Sequence, residues 1–225
     1  MARVARVVAE GYAHHITQRG NNRQIVFSDN EDRKRYLSLI KAHSKKYRLE
    51  ILAYCLMTNH VHFVVVPNNV ESLAKTFNFA HMRYSQYYNK KRGMCGHLWQ
   101  GRFYSCIMDE RHLYACARYI ERNPVRAKMA EKPWAYEWSS ASAHCGMNKA
   151  DGLGVERLFD YIDGQHREWK KFIDQDDNAS EVERIKRHTM IGLPVGEESF
   201  VRKLENKFDR VLRIIPRGRP KKIKW

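Results

Sequence analysis

The chain has 225 residues, 43% hydrophobic and 12% aromatic, which is enough apolar material for a sizeable core and excludes a disordered chain. Lys and Arg number 41 against 25 Asp and Glu, giving a net charge of +16 and a pI near 9.7, which points to a polyanionic partner, nucleic acid first. No long apolar run, signal peptide or lipidation signature accompanies the charge, so a membrane role is set aside and a cytoplasmic, nucleoid-associated location is expected.

An early strand is predicted from Tyr12 to Thr17, ending in the turn-forming run Arg19-Gly20-Asn21-Asn22. Asp29 is suited to cap a helix reaching Tyr47, with Tyr36, Leu37 and Ile40 on one face. A strand at Glu50 to Cys55, the turn Met57-Thr58-Asn59 and the β-branched run His60 to Val66, stopped by Pro67-Asn68-Asn69, read as a hairpin. From Ser72 to Arg92 the spacing of Leu73, Phe77, Ala80, Tyr84 and Tyr87 predicts a long helix ending at Gly93, and His97 to Met108 reads as a further strand.

Asp109 is placed to cap a helix from Glu110 to Arg122, where Asn123-Pro124 stops it because the residue before Pro avoids the α region. Trp134 and Trp138 fall in an irregular stretch. The order predicts an α+β fold over residues 1–145, a mostly antiparallel sheet covered by helices. Between Cys145 and Gly154 the composition turns to Gly, Asn, Lys and Asp, which marks a linker. Residues 155–225 are then expected to form a helical, basic, DNA-binding extension, clearest at Glu181 to Met190 and Glu198 to Leu212. The five cysteines lack the close pairing of zinc knuckles or redox motifs and read as reduced, mostly core thiols.

Residues two apart in a strand point the same way, so His60 and His62 present both imidazoles on one face while Val61 and Phe63 point to the other. With eleven histidines the pattern arises by chance about as often as not, so its context carries the weight. In a core strand, two unpartnered imidazoles are costly to bury without a ligand. On the predicted helix Tyr119 and Asn123 are four apart and share a face, while Leu113, Cys116, Ala117 and Ile120 form the stripe that packs on the sheet. Tyr119 is left on the flank, where it can overhang the histidines.

Four motifs in order, HHITQRGNNRQ, MTNHVHFVV, LWQGRFYS and YIERNPVRA, make the stretch from Gly11 to Ser140 resemble the single-tyrosine HUH transposases, specifically the REP-associated tyrosine transposase branch. The resemblance implies a ferredoxin-like HUH domain in which His60 and His62 hold a Mg²⁺ or Mn²⁺ ion and Tyr119 is the nucleophile. Asn123 matches a third, amide ligand; related insertion-sequence transposases carry Gln there, whose side chain reaches further. The implied reaction is cleavage and rejoining of hairpin-bearing single-stranded DNA through a 5′-phosphotyrosine linkage that releases a 3′-OH. Monomer and homodimer both remain open.

Arg83, Tyr84, Tyr87, Tyr88, Lys90, Lys91 and Arg92 interleave charge with aromatics, suited to phosphate contact and base stacking, or to a helix that packs its rings and solvates its charges. Arg19 and Asn21 in the first turn are further candidate DNA contacts. The tail Pro216-Arg217-Gly218-Arg219-Pro220-Lys221-Lys222 resembles an AT-hook, whose two arginines enter the narrow A·T minor groove. Two rivals stand beside the transposase reading. One is a non-enzymatic DNA- or RNA-binding regulator with a structural His pair; the other is a metal-dependent hydrolase using activated water.

Overall fold

A computed structural model describes residues 6–148, 152–162 and 168–214. The first strand, β1 (Ala13–Arg19), leads through a 3₁₀ turn to helix α1 (Asn30–Lys46); the hairpin β2 (Leu49–Leu56) and β3 (His60–Pro67) follows. Next come α2 (Ser72–Arg92), β4 (Tyr104–Met108), α3 (Glu110–Glu121), and the short helices α4 (Asn123–Arg126), α5 (Ala141–His144) and α6 (Trp169–Asp174). Helices α7 (Ala179–Ile191) and α8 (Glu198–Phe208) close the described chain. The four strands form one sheet in the order β2-β3-β1-β4 with every neighbouring pair antiparallel, the split βαβ arrangement of an α+β fold.

The helix ends follow their chemistry. The Asp29 carboxylate accepts from the Asp32 N–H and that of Asp109 from the His112 N–H, each satisfying an otherwise orphaned donor of a first turn. Gly93 ends α2 with a φ of 60°, the left-handed cap that glycine adopts without strain. Gly20 is required for another reason: a Cβ there would collide with the Gln24 carbonyl oxygen and with Val26.

Alternation along β3 divides the molecule into layers. Phe63 points toward α1 and α2, its ring 6.3 Å from that of Tyr36 and 5.5 Å from that of Phe77. His62 points to the opposite face, where α3 lies with Leu113, Cys116, Ala117 and Ile120 buried as the stripe predicts. The core then continues past the first 145 residues: Val155, Leu158, Trp169, Ile173 and Ile185 join the same buried cluster. The five cysteines are free thiols. No helix among the described residues is long and apolar enough to cross a membrane.

Two expectations need correction. The strand expected from His97 occupies only Tyr104–Met108, because Gly96 and Gly101 adopt φ values of 90° and 145° and turn the preceding segment into a loop. That loop is pinned to β1 through Asn21 N–H to the Leu98 carbonyl and Gln100 N–H to the Arg19 carbonyl. Likewise, Pro124 does not end the helical path. The chain breaks at Arg122 and resumes as α4, with Pro124 in its first turn, where the missing N–H costs nothing. Arg217 and Arg219, with the rest of the AT-hook-like tail, lie outside the described residues.

Candidate active site

The pairing of β1 with β3 puts Thr17 opposite His62, Arg19 opposite His60 and His15 opposite Val64, so His15 and His62 are diagonal neighbours on one face. Their rings lie nearly coplanar and edge to edge, with centroids 5.2 Å apart and 7° between planes. His60 meets His62 edge-on at 5.0 Å. Above them Tyr119, 4% exposed, stands with its ring perpendicular to both imidazoles, 5.7 Å from His62 and 6.0 Å from His15.

They line a cleft of about 450 Å³ together with Asn123, Arg126 and Lys186. Arg126 holds the nucleophile candidate in place: its guanidinium carbon lies 4.5 Å from the Tyr119 ring centroid, and one nitrogen donates to the Tyr119 carbonyl. The same nitrogen donates to Asn123 Oδ1 at 2.6 Å, and the other reaches Asp177 Oδ2 at 2.8 Å. Asn123 Nδ2 is buried with no partner among the described residues. One lone pair of Asn123 Oδ1 is engaged by Arg126 and a second remains.

Burial pushes the Tyr119 hydroxyl up to about 12, against the opposing pull of the Arg126 cation. Burial, assisted by Arg19, lowers His60 to about 4, and burial with the neighbouring His60, His15, Arg126 and Arg19 holds His62 well below 6.5. Both rings are therefore neutral, the form in which imidazole binds metal. Each Nδ1 is engaged, that of His60 with Asn59 Oδ1 at 2.7 Å and that of His62 with His15 Nε2 at 2.9 Å. Neither Nε2 makes a hydrogen bond among the described residues. Two free imidazole nitrogens beside an amide fit a divalent cation. Among the described residues no group of three or more His, Cys, Asp or Glu is assembled for one.

The other candidates separate. Arg19 is exposed and lines the cleft. Asn21 opens the turn beyond it. Arg83, Lys90, Lys91 and Arg92 belong to α2, across the sheet from the cleft. There Tyr84 and Tyr88 are buried, and Lys91 and Arg92 both pair with the fully buried Asp32, at 3.1 and 2.6 Å. Sequence reasoning assigned no role to His15, Arg126 or Thr189. Arg126 sits one turn beyond the tyrosine helix within the RNPVRA run, which is a readable signal; Thr189, distant in sequence, offers none.

The family model described as "Transposase IS200 like" matches residues 8–123, more than half of the chain. Among solved structures, a REP-associated tyrosine transposase bound to a REP hairpin superposes with a TM-score of 0.53 at 17% identity, covering 65% of this chain and 86% of that one. A putative transposase from Deinococcus radiodurans R1 gives a TM-score of 0.38 at 20% identity, covering 54% and 97%. No curated protein matches the sequence. The matched span runs through all four strands, the two histidines, the tyrosine and Asn123, and the chain belongs to the IS200-like transposase family.

Proposed function

We propose that the chain is a metal-dependent single-strand DNA endonuclease and strand transferase of the REP-associated tyrosine transposase branch, acting on hairpin-bearing DNA through a covalent 5′-phosphotyrosine intermediate. The observation that carries this is the placement of Tyr119, edge-on above His62 in a cleft it shares with His60. The fold shared with the hairpin-bound transposase supports the choice of substrate class.

His60 and His62, with Asn123 as third ligand, would hold Mg²⁺ or Mn²⁺, imidazole favouring the latter. When bound, such an ion polarises a nonbridging phosphate oxygen and orients the scissile linkage. The Tyr119 oxygen attacks phosphorus, the bond from phosphorus to the 3′ oxygen breaks, and the departing 3′ oxygen takes a proton to become the 3′-OH. Under this reading the Tyr119 proton passes to the solvent of the cleft as the bond to phosphorus forms. Arg126 lowers the cost of the developing phenolate, and its charge remains in place for the reverse step, in which a 3′-OH displaces the tyrosine. Around the cleft, Arg19 and Lys186 supply exposed positive charge for the flanking phosphates. Asn21, Arg83, Lys90 and the tail residues Arg217 and Arg219 extend the DNA-binding surface under this reading.

The test is a denaturing gel with labelled single-stranded hairpin oligonucleotides, run with Mn²⁺, with EDTA and with Tyr119→Phe. A metal-dependent protein–DNA adduct lost in the Phe variant is the expected result. Cleavage without adduct would replace the tyrosine mechanism by hydrolysis, and binding without cleavage would favour a regulator.

A further inference from the structure

His15 is 1% exposed and lies between His62 and a helix far away in sequence. Its Nε2 is 2.9 Å from His62 Nδ1 and its Nδ1 is 2.7 Å from Thr189 Oγ1 on α7, 174 residues downstream. The direction of each bond follows from counting hydrogens. Thr189 has one hydroxyl hydrogen, and the Ile185 carbonyl oxygen, 2.8 Å away, can only accept it. Thr189 therefore meets His15 as an acceptor, while Cys106 Sγ at 3.2 Å directs its S–H to the same oxygen. His15 must carry its hydrogen on Nδ1. A neutral ring then has its lone pair on Nε2, which accepts from His62 Nδ1–H. That assignment leaves the lone pair of His62 on Nε2.

His60 arrives at the same state by a separate route. Asn59 Nδ2 donates to the Arg23 carbonyl at 3.0 Å, which fixes the amide so that Oδ1 faces the ring. An amide oxygen only accepts, so the 2.7 Å contact makes His60 Nδ1 the donor and leaves its Nε2 free. From this geometry we infer that Thr189, His15 and Asn59 are positioning residues that lock both HUH histidines in the Nδ1–H tautomer, presenting two Nε2 lone pairs to the cation of the cleft. The identity of that ligand rests on the proposed function; the tautomers do not. In the opposite tautomer each Nε2 would carry a hydrogen where a ligand is needed, and binding would first have to move it. One consequence is that α7, beyond residues 8–123, helps set the metal-binding state of a strand in the matched domain.

The experiment uses the full chain, metal-free, with ¹⁵N-labelled histidine, reading ring tautomers by long-range ¹H–¹⁵N correlation and then Mn²⁺ affinity by calorimetry. His15, His60 and His62 should all show protonated Nδ1. Thr189→Val, which removes the acceptor with little change of shape, should leave His62 in mixed tautomers and weaken Mn²⁺ binding by roughly ten-fold, and Thr189→Ser should restore both. Protonated Nε2 at His62 in the wild type overturns the inference, as does a Val variant with unchanged tautomer and affinity. If the Val variant fails to fold, the wild-type spectrum still decides the tautomers. Should the wild type bind no Mn²⁺ while the tautomers are as assigned and respond to Thr189→Val, the relay stands and the metal-dependent reading of the site falls.

Discussion

Glu121 and His144 form an ion pair with both side chains sealed from solvent, Nδ1 lying 2.5 Å from Oε1. The other ring nitrogen, Nε2, faces the Val155 carbonyl at 2.8 Å, so both sides of the ring meet acceptors that favour the imidazolium. Glu121 is shared further, accepting from Ser140 Oγ at 2.5 Å and from Trp169 Nε1 at 2.9 Å. One carboxylate thus ties the tyrosine-bearing α3 to α5 and α6.

Removing that carboxylate leaves a buried cation alone, at a cost of about 3–5 kcal/mol. We expect Glu121→Gln to lower the melting temperature by roughly 10 °C for a chain of this size. A shift indistinguishable from the wild type would mean that the pair carries no structural weight. Burial alone would depress His144; the Glu121 carboxylate and the carbonyl contacts outweigh it and raise the pKa above 6.5. The contribution of this pair is therefore complete below pH 6.5 and is lost as pH rises through the folded-state value.

On the acid side other histidines act with the opposite sign. Burial lowers His14 to about 4 and His81 to about 3, so the folded state keeps both neutral while the unfolded chain protonates them near 6.5. Their stabilisation is present above pH 6.5 and declines as pH falls toward those folded values, on the order of 2 kcal/mol each. Urea denaturation at pH 7, 5.5 and 4.5 should show the decline, and His81→Gln should flatten it, the Gln amide taking over the hydrogen bond between His81 Nε2 and the Tyr36 hydroxyl. An identical slope in the variant would remove His81 from the account.

Local chemistry made much of this legible. The Asp29 and Asp109 caps, the Gly93 stop and the period-2 pattern around His60 and His62 are short-range signals, and the structure follows them. The alternation of His60, Val61, His62 and Phe63 gave both faces of β3 correctly because burial on either side leaves no freedom of register. What was not legible depends on contacts distant in sequence. His15 has meaning only once β1 pairs with β3, and Thr189 only once α7 lies against β4 and β1. The partners of Lys91 and Arg92 were out of reach for the same reason, lying about sixty residues earlier.

That run yields a prediction of two kinds of lysine and arginine. Arg92 reaches buried Asp32, and the Asp32 carboxylate also receives the Ser28 N–H at 2.9 Å. Lys90 is exposed and makes no ion pair among the described residues. Arg92→Gln should reduce the melting temperature by roughly 5 °C and leave the salt dependence of DNA binding untouched. Lys90→Gln should leave stability unchanged and reduce the slope of log affinity against log salt by about 0.7 for a single-stranded site. Fluorescence anisotropy at several salt concentrations measures both, and equal slopes for Lys90→Gln and wild type would take Lys90 off the DNA path.

Finally, Tyr119 is held over the histidines of its own chain by more than its neighbours in the cleft. The stripe Leu113, Cys116, Ala117 and Ile120 is buried against the sheet, and α3 is also strapped from the far side. Arg118 donates to the Gln175 carbonyl at 2.7 Å and Arg122 to the Ile173 carbonyl at 2.7 Å. With these bonds and that stripe satisfied inside the chain, the expected arrangement is a site that operates within one chain. A mixture of Tyr119→Phe and His62→Ala proteins, each inactive alone, should stay inactive in the adduct assay. A site assembled across a two-fold dimer predicts instead recovery of about a quarter of wild-type activity, since half the dimers would be mixed and one of their two sites intact. Recovery near that level would mean that the arrangement of Tyr119 over His62 within one chain is not the one that cuts DNA.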